Sequence, residues 1–196
     1  LGPHENNFVW GGSTAIRREV FEQAGVLAAW KGALSDDYVL TRALRKVGLG
    51  VVFVPTCLVA SEERSGWRNL FEFTSRQVKI TRVYGGRIWG MGLTSYTLFN
   101  LTFLWLTWLM FIDPVALALW LVVYALAVIR SGIRLRAVRV TSREFGHPSW
   151  FYLLSPPLVS FLYQANFIAS ALSRRISWKG VTYRMVSPSK TVVERP

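Results

Sequence analysis

The sequence predicts an incomplete α/β domain followed by an α-helical membrane region. Three observations carry this expectation. Residues 88–112 contain no Asp, Glu, Lys, Arg or His. The first 66 residues alternate helix signals with a short β-rich run, and most acidic residues precede the apolar region. Charged residues make up only 17% of the 196-residue chain, against about 25% in a typical soluble domain. The 23 Lys and Arg outnumber 11 Asp and Glu, giving a net charge of +12 with 52% hydrophobic residues. Twelve Phe, nine Trp and seven Tyr exclude a disordered chain. Cys57 is the single cysteine, which excludes a disulfide scaffold.

Within residues 1–66, the apolar run Phe8-Val9-Trp10 ends at Gly11-Gly12. Ser13 and Thr14 offer N-caps for a helix in AIRREVFEQAG that closes on Gly25. The double glycine is a tight strand-to-helix turn, or a place where backbone N–H groups approach a ligand. Ser35-Asp36-Asp37-Tyr38 opens a second helix, ended by Gly48. Two acids at a helix start favour the helix dipole; the functional alternative is a carboxylate acting as general base at a cleft edge. Residues 50–55, GVVFVP, form a β-rich run that Pro55 ends. These pieces suggest the closing half of an α/β domain, too small to be complete.

Residues 67–87 predict an amphipathic interfacial helix. Arg76, Lys79 and Arg82 recur at i, i+3 and i+6, suited to anionic lipid or to a phosphorylated leaving group. Residues 88–133 predict a transmembrane hairpin, turning at Asp113-Pro114. Its second run is short after Ile129 but extends if Arg130 snorkels. Lys79, Arg82 and Arg87 precede the hairpin, and Arg130, Arg134, Arg136, Arg139 and Arg143 follow it. By the positive-inside rule, residues 1–85 and the basic loop 134–148 lie in the cytoplasm. Residues 149–173 predict a helix broken at Ser155-Pro156-Pro157, re-entrant or interface-lying, with a third span as the alternative. Residues 174–196 form a basic tail. No signal peptide stands at the N-terminus, and Leu1-Gly2-Pro3 reads as a cut from a longer polypeptide. His4 and His147 have no second ligand at metal-binding spacing, and Cys57 is expected to pack.

Three motifs, in order, resemble the C-terminal part of membrane-bound family 2 glycosyltransferases, in the ceramide glucosyltransferase-like branch. The W-G-G-S-x-A-x-R-R turn is matched by residues 10–18, the (E/D)-D-Y motif by Asp36-Asp37-Tyr38, and the W-(R/K)-G-x-x-Y ending by residues 178–183. The likeness covers essentially the whole chain. It implies inverting transfer of a sugar from a nucleotide-sugar donor to a membrane lipid acceptor. Asp37 would be the general base, supported by Asp36. Gly11, Gly12, Ser13, Arg76 and Lys79 would contact substrate or diphosphate. The family's (Q/R)-x-x-R-W motif falls on residues 73–77, where only Arg76 survives, which argues against a processive polysaccharide synthase. The resemblance also implies a divalent cation, Mg or Mn, whose ligands lie in a nucleotide-binding half that precedes these motifs. This chain alone is accordingly expected to be inactive. The other class considered is a non-catalytic membrane protein binding anionic lipids. Nucleic acid is not an expected partner, because the arginines sit beside membrane spans.

Overall fold

The computed structural model describes residues 4–57, 66–141 and 149–195. Arg143 and His147 of the basic loop lie outside the described residues. Helices α1 (Arg18–Gln23), α2 (Val26–Trp30), α3 (Asp36–Lys46), α4 (Trp67–Tyr84), α5 (Gly86–Leu109), α6 (Pro114–Thr141), α7 (Ser149–Leu154) and α8 (Pro156–Leu172) precede strands β1 (Arg175–Trp178), β2 (Val181–Ser187) and β3 (Lys190–Arg195). The chain divides into two compact units. The first comprises Leu1–Ser61, Arg76–Gly86 and Ser170–Pro196; the second comprises Glu62–Ser75 and Arg87–Ala169.

The first unit is built around α3, whose ends follow from its sequence. Ser35 is the N-cap, its Oγ accepting the Tyr38 N–H at 3.3 Å. At the other end Gly48 takes φ +75°, Gly48 N–H reaches the Arg45 carbonyl, and Leu49 N–H reaches the Leu44 carbonyl. That pair of bonds is a Schellman ending. Leu40, Ala43 and Leu44 pack with Val9 and Val26, while Val39 packs with Tyr84, Ile176 and Met185. One helix therefore anchors two apolar clusters.

Two local expectations are corrected here. Thr14 and Ser13 do not cap a helix: Thr14 Oγ1 donates to the Trp10 carbonyl at 2.5 Å, closing a turn, and α1 starts only at Arg18 after Arg17. The β-rich run at residues 50–55 forms no strand. It is held to the N-terminal segment by Val51 N–H to His4 O at 3.1 Å and Asn7 Nδ2 to Val51 O at 3.0 Å. The sheet instead lies in the tail, which sequence alone marks only as basic. It is an antiparallel meander, β1-β2-β3. Lys179 (φ +49°) and Gly180 (φ +82°) supply the two positive dihedrals of a type I′ hairpin turn between Trp178 and Val181. Arg175 and Arg184 stand opposite each other, a like-charge pair bridged by Glu194 at 2.8 and 2.9 Å. Ile176 and Met185 point inward, at 4% and 0% exposure.

In the second unit, Asp113 Oδ1 accepts the Val115 N–H at 2.9 Å, so Asp113 caps α6 and Pro114 occupies its first position. α6 runs past Arg130 to Thr141, longer than the sequence expectation. Its segment Pro114–Ala137 is the one described helix long and apolar enough to cross a membrane, about 36 Å at 1.5 Å per residue. Only 6% of its most apolar stretch is buried within the chain, unlike the core helix of a soluble protein. α5 does not meet that standard, for a physical reason. One of its faces carries polar side chains that bond to α8: Asn100 with Ser160 (2.7 Å), and Thr97 with Gln164 (3.1 Å). Asn166 of α8, fully buried, donates to Thr74 Oγ1 and accepts from Ser75 Oγ. α7 and α8 break at Ser155 before the two prolines, as the sequence predicts.

One glycine has an exacting position. Gly32 has φ +77°, and a Cβ there would lie 2.7 Å from the Ser189 carbonyl oxygen of the β2–β3 turn. Its own carbonyl accepts the Thr191 N–H at 2.9 Å. Gly25 has φ +62° but open space around it. Gly25→Ala is expected to cost roughly 1–2 kcal/mol of left-handed strain. Gly32→Ala should cost clearly more, because the clash adds to the strain. Denaturant midpoints of the two variants check the order.

Candidate active site

The Gly-Gly turn and the acid pair, 26 residues apart, meet in the first unit. Gly11 N–H reaches Asp37 Oδ2 at 3.4 Å, and a Cβ at Gly11 would lie 3.2 Å from Asp36 Oδ2. Any larger residue at position 11 would press on the Asp36 carboxylate. The juxtaposition depends on Thr41, which is 1% exposed. Its Oγ1 donates to the Asp37 carbonyl at 2.7 Å and accepts the Val9 N–H at 2.9 Å. A single buried hydroxyl thus ties the strand-like approach to Trp10 onto the first turn of α3.

The two carboxylates have different surroundings. Asp37 Oδ1 accepts the Ser35 hydroxyl at 2.9 Å and Oδ2 faces the Gly11 N–H, so each oxygen has a donor that orients it. Asp36 is exposed at the helix start, and Trp30 Nε1 donates to its backbone carbonyl at 3.1 Å. Partial burial, then the hydrogen bond and negative charge of Asp37, hold the Asp36 carboxyl above the usual carboxylate range.

Tyr38, third residue of the acid motif, serves position rather than proton transfer. Its ring stacks on Tyr84 at 5.7 Å and meets Phe8 edge-on at 5.4 Å, while its hydroxyl pairs with Thr81 Oγ1 at 3.1 Å. The Tyr84 hydroxyl accepts Leu34 N–H (2.8 Å) and Ser35 N–H (3.3 Å). Tyr84 emerges from the structure alone; in sequence it is only the last residue of an amphipathic helix.

Arg76, Lys79 and Arg82 of α4 lie in this unit and turn toward the tail. The Arg76 guanidinium sits 5.6 Å from the Trp178 ring centroid. Lys79 Nζ donates to the Arg175 carbonyl at 2.9 Å, and burial pushes its ammonium below the usual lysine value. Arg82 Nη1 donates to the Ser170 carbonyl. The structure therefore brings Gly11, Asp36 and Asp37 together. Gly12 and Ser13 continue the same turn, and the contacts that place Arg76 and Lys79 run to β1. The W-K-G-x-x-Y ending has a structural basis in the same contacts. Trp178 receives Arg76, Gly180 makes the hairpin turn, and Tyr183 packs beside Met185.

Among the described residues no three His, Cys, Asp or Glu side chains gather to hold a metal ion. Asp36 and Asp37 provide two carboxylates, and Asp37 is already engaged by Ser35 and Gly11. The donor set does not fit a divalent cation, and no chemical step is assigned to one.

The Gly11-Gly12 turn thus stands against the paired carboxylates, and a basic hairpin flanked by Trp178 follows in the chain, in the motif order given above. The profile of glycosyl transferase family 21 matches residues 5–191, and the chain belongs to that family. This is the ceramide glucosyltransferase-like branch that the three motifs resemble. Membership supports sugar transfer as the general activity. No curated protein and no solved structure matches the chain.

Asp36 is the carboxyl expected to titrate late. Its folded-state pKa is raised, so the folded chain holds its proton to higher pH than the unfolded chain does. This group therefore favours the fold more as pH falls through that pKa, and disfavours it above. A carboxyl NMR titration should place the Asp36 midpoint above the ordinary value, and Asp37→Asn should bring it down. An unchanged midpoint in that variant would remove Asp37 as a cause. Separately, Thr41→Val leaves the buried Val9 N–H without a partner and should cost about 1–3 kcal/mol by denaturation.

Proposed function

We propose that this chain is the acceptor-side and membrane portion of an inverting glycosyltransferase that uses a nucleotide-sugar donor and a membrane lipid acceptor. The observation that carries the proposal is the Asp37 carboxylate, fixed by Ser35 Oγ and facing the Gly11 N–H. Two motifs of the family thereby converge on one group.

Asp37 acts as general base. Its two hydrogen bonds fix its orientation, and each carboxylate oxygen retains a lone pair beyond its hydrogen bond. It takes the proton of the acceptor hydroxyl as that oxygen attacks the anomeric carbon. The bond to the donor's diphosphate breaks on the opposite face, the electron pair leaves with the nucleoside diphosphate, and configuration inverts. Asp36 adds a second carboxyl beside the base, at the donor end of the turn. Gly11, Gly12 and Ser13 form the backbone wall against the donor. Arg76 and Lys79 offer positive charge to the leaving diphosphate; Lys79 commits one of its three N–H donors to Arg175. Arg76 and Lys79 are three residues apart on α4, about one helical turn. Divalent cation chemistry, where the full enzyme uses it, belongs to ligands other than these.

The membrane part of the proposal rests on α6 and its flanks. Pro114–Ala137 has the length and exposure of a span. Basic residues at its C-terminal end favour the cytoplasmic side, where residues 1–85 would also lie.

Asp37→Asn in membranes carrying the intact protein tests the base assignment. Sugar transfer should fall by roughly 10²–10⁴-fold, with membrane insertion and donor KM unchanged. Asp36→Asn should cost much less. Full transfer by Asp37→Asn, or a larger loss from Asp36→Asn, would overturn the assignment.

A further inference from the structure

A cleft of about 720 Å³ opens within the second unit, lined by residues of α5, α6, α7 and α8. Its volume falls in the range of small-molecule sites, roughly 300–1,000 Å³. Phe99, Leu126 and Val159 give it an apolar wall, and Arg130 and Arg134 stand along one side of it. The two arginines are four residues apart, so they share one face of α6. Among the described residues no acidic residue lines the cleft, and neither arginine takes part in any of their four ion pairs. Two neighbouring guanidinium groups beside an apolar wall, with no counter-charge among its described lining residues, call for an occupant that is anionic at one end and hydrocarbon at the other.

We propose that this cleft binds an anionic glycerophospholipid of the surrounding bilayer. Its phosphate sits on Arg130 and Arg134, and an acyl chain lies along Phe99, Leu126 and Val159. Guanidinium groups engage phosphate oxygens in paired hydrogen bonds. A soluble anion would leave the apolar wall wet. A neutral lipid would leave the two positive charges unmatched. The arginines lie near the C-terminal end of the Pro114–Ala137 segment, at the depth where a lipid headgroup meets a spanning helix. The proposal rests on the membrane reading of α6 but not on the assignment of Asp37.

The test is native mass spectrometry of the full chain in detergent micelles, titrated with phosphatidylglycerol or phosphatidylcholine of identical acyl chains. Phosphatidylglycerol should bind at least tenfold more tightly. Arg130→Gln/Arg134→Gln should abolish that preference. Val159→Trp, which fills the apolar wall and keeps both arginines, should weaken phosphatidylglycerol binding at least fivefold. Arg136→Gln/Arg139→Gln removes equal charge from the same helix outside the cleft and should preserve the preference.

Equal binding of the two lipids, equal loss in the Arg136/Arg139 variant, or unchanged binding by Val159→Trp would overturn the site. So would full competition by soluble glycerol 3-phosphate. Release of the chain from membranes by alkaline carbonate would instead overturn the membrane reading, and the lipid site with it. Retention in the membrane without a phosphatidylglycerol preference overturns the lipid site alone.

Discussion

The phenolic oxygen of Tyr84, accepting the Leu34 and Ser35 N–H groups, is the contact on which the geometry of the acid pair depends. It fixes the backbone immediately before α3, so Ser35 is held where its side chain can both cap the helix and hydrogen-bond Asp37. The ring of Tyr84 then stacks on Tyr38 and closes an apolar cluster with Val39, Ile176 and Met185. Cap, acid pair and core thus share one aromatic residue at the end of α4. Thr41 supplies the complementary tie on the other side, from Asp37 to Val9. The carboxylate of Asp37 is consequently positioned by groups on three separate stretches of chain, an arrangement suited to holding a reacting group within narrow tolerances.

The second unit solves a different problem with the same economy of partners. Polar side chains pair particular positions of neighbouring helices, a choice that apolar contacts alone do not make. Asn100 with Ser160 and Thr97 with Gln164 do this between α5 and α8, and Asn166 extends it to Thr74 and Ser75. The polarity of α5 is therefore directed inward. α6 is tied to α5 by Trp120 Nε1 to Thr107 Oγ1 and carries the more hydrophobic segment, Pro114–Ala137.

Local chemistry was legible in the sequence where a residue type has one main use. Gly48 ended α3, Ser155-Pro156-Pro157 broke the last apolar helix, and Asp113-Pro114 divided α5 from α6. The acid pair and the Gly-Gly turn were legible as motifs, though not as neighbours, because the Gly11–Asp37 contact spans 26 residues. What stayed hidden was decided by distant packing. GVVFVP has the composition of a strand but pairs with the N-terminal segment through only isolated bonds. The tail's strands were masked by their arginines, of which Arg175 and Arg184 share Glu194 across the sheet. Likewise, the longest uncharged run marked α5 as the foremost membrane helix. Absence of charge is a weaker criterion than hydropathy when Thr, Ser and Asn are frequent.

The backbone bond from Thr191 to Gly32 joins nearly the last residues of the chain to the loop before the acid pair. Between those two positions, in order of synthesis, stand α4 and every helix of the second unit. Val39 and Tyr84 cannot complete their cluster until Ile176 and Met185 have left the ribosome. The carboxylates are made early, yet the packing around them awaits the synthesis of β1 and β2. A chain stalled or clipped before β2 would carry both acids and every helix of the second unit without the completed cluster around Tyr84.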